Sequence, residues 1–127
     1  MAKVLIIDDE EDVRVMIART CNIAGVEVVQ AESGLNIERV VDSEVIVAFL
    51  DWAGDSQGLE CARFLYEWFP KIRVYIFSGN DRRVIVRNLY SESVSVAGVV
   101  DKTASMEEIE LLVRSALYAK KAEGATA

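Results

Sequence analysis

Short apolar runs alternate along this chain with longer segments of helical periodicity. Five runs are rich in β-branched residues and predict buried strands, at residues 4–7, 26–30, 45–50, 74–77 and 97–100. After the first run, apolar residues recur at steps of three and four, which predicts one buried helix face: Val13, Met16, Ile17, Cys21 and Ala24. The same spacing returns near the end of the chain: Ile109, Leu112, Val113, Ala116 and Leu117. The pattern predicts strands and helices in strict alternation.

Residues with strong helix-terminal preferences mark the bounds of two of these helices. Gly25 is placed to end the first helix, and Ser105 with Glu108 fits a capping box at the start of the last one. The second helix, at about 35–41, and the fourth, at about 81–90, are predicted to be short because both segments are rich in β-branched residues.

The predicted strands are apolar almost throughout, rather than on every second residue. This is typical of a parallel sheet that is covered on both faces. Right-handed crossovers between such strands give an α/β fold, a doubly wound (βα)5 sandwich. In such a fold the carboxyl ends of all strands lie at one edge of the sheet, where ligands bind.

Length and composition indicate one ordinary domain. The chain has 127 residues, of which 52% are hydrophobic, and no apolar run approaches the roughly 20 residues of a membrane span. Residues 1–120 are expected to form the domain, and residues 121–127, small and polar, a frayed tail or the start of a linker. The amino terminus does not resemble a signal peptide, and Cys21 and Cys61 fit core positions in a reducing compartment, so we expect a cytoplasmic protein.

Charge and residue usage exclude several kinds of chemistry. The net charge of −7 opposes direct contact with nucleic acid. The chain has no histidine, which excludes its own histidine-based acid–base catalysis, Ser-His or Cys-His nucleophile pairs and histidine-bound zinc. Any chemistry of this chain is therefore expected to use carboxylates, hydroxyls, lysine and an oxygen-binding metal.

Polar residues follow four of the predicted strands and would converge at one edge of the sheet. They are residues 8–11 after the first strand, Asp51 after the third, Ser78 after the fourth, and Asp101 with Lys102 after the fifth. Each also has a purely structural interpretation. Residues 8–11 suit a helix start, Asp51 a turn before Gly54, Ser78 a turn that leads to a helix cap at Asn80, and Lys102 a solvated surface charge.

The joint arrangement has a chemical logic that the single residues lack. Clustered carboxylates repel one another, and Mg²⁺ relieves the repulsion. A carboxylate beside Mg²⁺ can attack a phosphoryl group and form an aspartyl-phosphate. In this hypothesis Asp51 is the nucleophile, and Asp8 and Asp9 hold the metal. Lys102 and Ser78 bind the oxygens of the transferred group.

Four segments, in order, resemble the receiver domains of two-component response regulators: KVLIIDDEEDVR, VAFLDWAGDSQGLE, YIFSGN and VAGVVDK. The resemblance covers essentially the whole chain and implies a flavodoxin-like sheet with strand order 2-1-3-4-5. It also implies phosphoryl transfer to Asp51 from a histidine kinase or phosphotransfer protein. Mg²⁺ would be bound by Asp8, Asp9, Asp51 and the backbone carbonyl of Ala53. The domain would then switch an effector or partner, and it would not be an enzyme beyond its own phosphorylation and dephosphorylation.

Four positions depart from the family pattern. Gly54-Asp55 replaces the common Met-Pro, and Gly58 comes one residue early, so the loop after Asp51 is expected to be shortened. Val99 replaces the usual aromatic, and Thr103 the usual proline. A cis peptide bond before a residue other than proline costs about 2.5–4 kcal/mol, so the Lys102–Thr103 bond is predicted to be trans.

Other classes of protein fit less well. A dinucleotide-binding fold would need a glycine-rich loop after the first strand, where this chain has acids. An aspartate-nucleophile phosphatase would need a D-x-D motif. A receiver-like interaction module that no longer cycles phosphate remains open as an alternative.

The predicted fourth helix, fifth strand and fifth helix form the usual output face of the family. This face would expose the basic and aromatic side chains of Arg83, Arg87, Tyr90, Tyr118 and Lys121. Such a face fits a surface for a partner or a homodimer, and it equally fits an ordinary solvated surface.

Overall fold

A computed structural model describes residues 1–52, 56–79 and 81–126. The strands are β1 (Lys3–Ile7), β2 (Glu27–Ala31), β3 (Val45–Asp51), β4 (Arg73–Ser78) and β5 (Gly98–Asp101). The helices are α1 (Glu11–Ala24), α2 (Ile37–Val40), α3 (Ser56–Trp68), α4 (Arg82–Ser91) and α5 (Met106–Thr126). The predicted alternation of strands and helices is confirmed.

The strands form one parallel sheet in the order β2-β1-β3-β4-β5, as the resemblance implied. Their register places the carboxyl ends of neighbouring strands side by side. Ile7 pairs with Leu50, Asp51 with Phe77, and Ser78 with Asp101. The residues that follow β1, β3 and β5 therefore lie at the same edge as the last residue of β4.

Both faces of the sheet are covered, which explains the continuous apolar runs. On one face Phe49 stacks on Tyr75 and meets Phe77 edge-on, and this cluster also holds core residues of α1 and α5. On the other face Leu50 packs with Leu65 and Ile85, from α3 and α4. The sheet is thus a rigid platform whose carboxyl edge carries the polar residues.

Two predicted helix ends are confirmed by their backbone geometry. Gly25 adopts a left-handed conformation with φ of 79°, and its amide donates to the Asn22 carbonyl, which ends α1. The Ser105 hydroxyl accepts the Glu108 amide at 3.2 Å at the start of α5. At α4 the cap is Asp81, whose carboxylate accepts the Arg83 amide at 2.9 Å. Asn80, which sequence reasoning had proposed as a cap, lies outside the described residues.

Two helices differ in length from the prediction. Helix α2 has only four residues, since Asn36 adopts a left-handed φ of 68° and the Ser33 hydroxyl binds the Leu35 amide just before it. Helix α5 is longer than expected. It continues through Thr126, because the alanines, lysines and glutamate of residues 119–123 are good helix formers. The predicted domain boundary at residue 120 stays a prediction.

Cys21 and Cys61 are both reduced and buried, as their positions predicted. In the part of the chain that the structure describes, none of the helices is both long enough and apolar enough to span a bilayer.

Candidate functional site

Lys102 is the centre of the polar edge. Its ammonium lies 3.0 Å from Asp51 Oδ1, 3.0 Å from Glu10 Oε1 and 3.4 Å from Asp8 Oδ2. The structure therefore brings together residues that follow β1 and β5 with the last residue of β3, as the sequence predicted for Asp8, Asp51 and Lys102.

Asp8 is fixed and almost wholly buried, with 2% of its surface exposed. Its Oδ1 accepts the Glu10 amide at 2.9 Å, and its backbone carbonyl accepts the Arg14 guanidinium at 2.7 Å. None of the described residues donates a hydrogen bond to Asp8 Oδ2, which meets Lys102 only at ion-pair distance. A buried carboxylate oxygen without a hydrogen bond is costly, so this atom fits a bound cation.

Asp9 and Glu10 follow as exposed residues. Carboxylate oxygens of Asp8, Asp9 and Glu10 lie within 4.8 Å of one another. Oxygen donors of this kind suit Mg²⁺. The group contains Glu10 rather than Asp51, which is joined to it through Lys102. The carbonyl of Ala53 and the residues Gly54 and Asp55 lie outside the described residues.

The side chain of Asp51 is 13% exposed. Burial raises the pKa of its carboxyl, the hydrogen bond from Lys102 opposes that rise, and the charge of Asp8 adds to it. Burial by itself lowers the pKa of Lys102, but its bonds to Glu10 and Asp51 outweigh burial and raise that pKa. Lys102 therefore stays charged while it is shared among three carboxylates.

Ser78 is the last residue of β4 and is 2% exposed. Its backbone carbonyl accepts the Lys102 amide at 3.1 Å, which ties the backbone of the lysine to the end of β4. Ser78 thus lies at the predicted edge of the sheet.

The loop from β5 to α5 uses Thr103 in place of the family's proline. Asp101 Oδ1 accepts both the Thr103 amide, at 2.8 Å, and the Thr103 hydroxyl, at 2.7 Å. These bonds lower the pKa of Asp101. The Lys102–Thr103 peptide bond is trans, as predicted. A proline could not donate the backbone bond, so Thr103 supplies a local anchor for this loop.

The contact of Glu10 with Lys102 was not predicted from the sequence. Lys102 lies 92 positions away, and sequence reasoning counted Glu10 only among the acids after β1. Its place directly after Asp8 and Asp9 was the only signal.

The structure also explains why residue 58 is a glycine. A Cβ at Gly58 would lie 3.0 Å from the Asp51 carbonyl oxygen and 3.4 Å from the Trp52 ring. Gly58 therefore lets α3 approach the end of β3 closely. Beside it a cavity of about 190 Å³ opens, lined by Asp8, Asp9 and Asp51 among others.

Residues 4–114 match the family model of the response regulator receiver domain. The chain belongs to this family. Solved receiver domains share its fold. One from Clostridium thermocellum is 24% identical, with a TM-score of 0.78 over 95% of this chain and 98% of that one.

Two further receiver domains are similar at lower identity. The signal receiver domain of a Luxo repressor protein from Vibrio parahaemolyticus is 16% identical, with a TM-score of 0.80, and the match covers 98% of this chain and 96% of that one. The BeF3-activated receiver domain of DrrB, a Thermotoga maritima protein, is 18% identical, with a TM-score of 0.78 over 93% and 98% of the two chains. No curated protein sequence is significantly similar to this chain.

Away from the acidic edge, the receiver domain exposes the residues that the sequence singled out on α4 and α5. Tyr90 is 86% exposed and Tyr118 is 78% exposed. Arg83, Arg87 and Lys121 are exposed as well. Between α4 and β5 lies a groove of about 520 Å³, lined by Val86, Tyr90 and Val99 among others.

Proposed function

We propose that this receiver domain accepts a phosphoryl group on Asp51 in a Mg²⁺-dependent reaction and acts as a signalling module of a two-component system. One observation carries the proposal. The mostly buried Asp51 carboxylate lies 3.0 Å from the Lys102 ammonium. Lys102 also contacts Asp8, whose Oδ2 is buried without a hydrogen bond from any described residue.

In the proposed reaction an Asp51 oxygen attacks the phosphorus atom. The new P–O bond forms as the bond from phosphorus to the donor atom breaks, and the donor leaves with that electron pair and takes up a proton. Lys102 and Ser78 would bind equatorial oxygens of the transferred group.

The donors present fit Mg²⁺. Asp8, Asp9 and Asp51 would hold the ion together with the Ala53 carbonyl, and the ion would neutralise the repulsion between carboxylates and phosphoryl oxygens. Hydrolysis of the aspartyl-phosphate would return the domain to its resting state.

The phosphoryl donor is expected to lie outside this domain, because these 127 residues contain no histidine. We propose a histidine kinase or a phosphotransfer protein as the partner, in the cytoplasm. Exposed Tyr90 and Tyr118, with the groove between α4 and β5, support α4, β5 and α5 as the face for an effector or a second copy of the chain.

Labelling by acetyl phosphate in the presence of Mg²⁺ tests the proposal directly. Asp51→Asn removes the nucleophile and keeps the shape of the side chain, so we expect labelling to fall by about 100-fold or more, as measured by intact mass. Asp42→Asn is the matched control, since Asp42 lies beyond the opposite edge of the sheet, where it pairs with Lys3. The control should label like the parent. Equal labelling of Asp51→Asn would refute the assignment.

Beryllofluoride separates this function from a receiver-like interaction module that no longer cycles phosphate. The ion mimics a phosphoryl group, and DrrB has been solved in a BeF3-activated form. With Mg²⁺ present, beryllofluoride should change the fluorescence of Trp52, which is buried next to Asp51. A phosphate-independent module would show no change.

A further inference from the structure

We infer that Glu10 is a positioning residue that holds the Lys102 ammonium in the unphosphorylated domain and competes for it with an arriving phosphoryl group. The inference rests on the proposed phosphorylation of Asp51 and adds a competitor for the lysine that phosphorylation requires.

The first argument is the direction of the Glu10 side chain. Glu10 occupies the N-cap position of α1, yet its side chain makes no capping bond. Asp8 Oδ1 accepts the Glu10 amide at 2.9 Å instead. The Glu10 carboxylate turns to the other side of the site and accepts a hydrogen bond from Lys102 at 3.0 Å. The Glu10 side chain thus does not cap α1 and instead contacts Lys102, which is 92 positions away in the sequence.

The second argument is the number of donors. A lysine ammonium has three N–H groups. Glu10 and Asp51 accept hydrogen bonds from Lys102 Nζ at 3.0 Å, while Asp8 Oδ2 lies 3.4 Å away without a hydrogen bond. A phosphoryl oxygen on Asp51 needs one of these N–H groups. The Glu10 carboxylate therefore competes with that oxygen for the ammonium.

Exposure indicates which partner leaves. The side chain of Glu10 is 61% exposed, while those of Asp8 and Asp51 are 2% and 13% exposed. Water replaces the lysine more easily at the exposed Glu10 than at the buried Asp8 or the mostly buried Asp51. The Lys102 backbone is held by the Ser78 carbonyl, so the exchange involves the side chain alone.

The test compares Glu10→Gln with the parent at saturating Mg²⁺. Glutamine has nearly the same shape but no charge, so it competes more weakly for the ammonium. We expect half-maximal Trp52 fluorescence change at a beryllofluoride concentration about 1.5- to fivefold lower, the range that an exposed ion pair supports. Glu11→Gln is the control for the loss of one nearby charge, because α1 begins at Glu11 and no ion pair links Glu11 to Lys102 among the described residues. The control should bind beryllofluoride like the parent.

A double-mutant cycle separates positioning from a general structural effect. In a Lys102→Gln background, Glu10→Gln should no longer change beryllofluoride binding, because the shared partner is gone. An effect that persists there, or weaker binding by Glu10→Gln in the parent background, would overturn the inference. Weaker beryllofluoride binding by Glu10→Gln would indicate that Glu10 binds the metal instead. If the parent responds to beryllofluoride and Glu10→Gln matches it, only this inference fails. A parent that does not respond at all overturns the proposed function together with it.

Discussion

Asp8 and Asp9 are neighbours in sequence with very different surroundings. Asp8 is buried and anchored through its side-chain and backbone oxygens, while Asp9 is exposed at the rim of the cavity beside Asp51. The two residues would therefore contribute differently to a cation. Asp8 offers a fixed oxygen, and Asp9 adds charge at little structural cost.

This difference leads to a prediction for Asp9→Ala. Loss of one of few carboxylates should raise the Kd for Mg²⁺ about tenfold or more, while Tm in the absence of metal stays within a few degrees of the parent because Asp9 is exposed. The titration is followed by Trp52 fluorescence. Asp12→Ala, an exposed change in the first turn of α1, should keep the parental midpoint. A parental midpoint in Asp9→Ala would remove Asp9 from the metal site.

Single residues also show the limit of sequence reasoning. Asp8, Asp51 and Lys102 could be placed because each lies at a strand end, and parallel strands bring their ends to one edge. The contact of Glu10 with Lys102 could not, because a side-chain direction at a helix start depends on what lies across the edge. Thr103 gave a correct prediction for its peptide bond, but not the two bonds to Asp101 that fix the loop.

At the scale of elements, the end of α1 has a conformational requirement that can be tested alone. Gly25 has a φ of 79°, and a Cβ added there would meet nothing within 4 Å. Any cost of Gly25→Ala is therefore backbone strain. We expect a loss of about 1 kcal/mol in the free energy of unfolding, measured by urea denaturation.

Gly79→Ala provides the matched control for this substitution. A Cβ at Gly79 also meets nothing within 4 Å, and Gly79 has no left-handed φ. This variant should be as stable as the parent or slightly more stable, because alanine restricts the unfolded chain. Equal losses in the two variants would mean that conformation is not the cause at Gly25.

The elements that could be predicted best were those with strong periodicity. The five strands were predicted to within about two residues at each end, since their apolar runs are bounded by polar residues. Helix α2 was predicted too long, because the left-handed turn at Asn36 is not visible in a hydrophobic pattern. Helix α5 was predicted too short, because small and charged residues near its end suggested a tail, although several of them favour helix.

At the scale of the molecule, Cys21 reports on whether the whole fold opens. It is fully buried between α1 and the sheet, and burial raises the pKa of its thiol to about 12. At pH 8 the native thiol is therefore both protonated and inaccessible, and only unfolding restores an ordinary, more reactive thiol.

We expect Cys21 to react with a thiol reagent at pH 8 only when the domain unfolds. Labelling followed by peptide mass spectrometry should give a Cys21 rate that rises with urea in parallel with the loss of circular dichroism. Full labelling in native buffer at the rate of the denatured chain would contradict the packing of α1 on the sheet.

Helix α5 has a mechanical consequence of its own. It runs for 21 residues. Among the side chains that the structure describes, its last buried one is Ala116, and residues 120–123 are exposed. At about 1.5 Å per residue it is roughly 31 Å long, and its first half is anchored by packing against α1 and the sheet. The ten residues after Ala116 extend about 15 Å beyond this anchor, so a tilt of about 10° there would move the far end by about 3 Å. Each residue inserted near that end would turn whatever is joined beyond it by about 100° around the axis. A small change in packing at the sheet would thus displace the end of α5 by a few ångströms. The direction in which the end of α5 faces would depend on the number of residues in the helix.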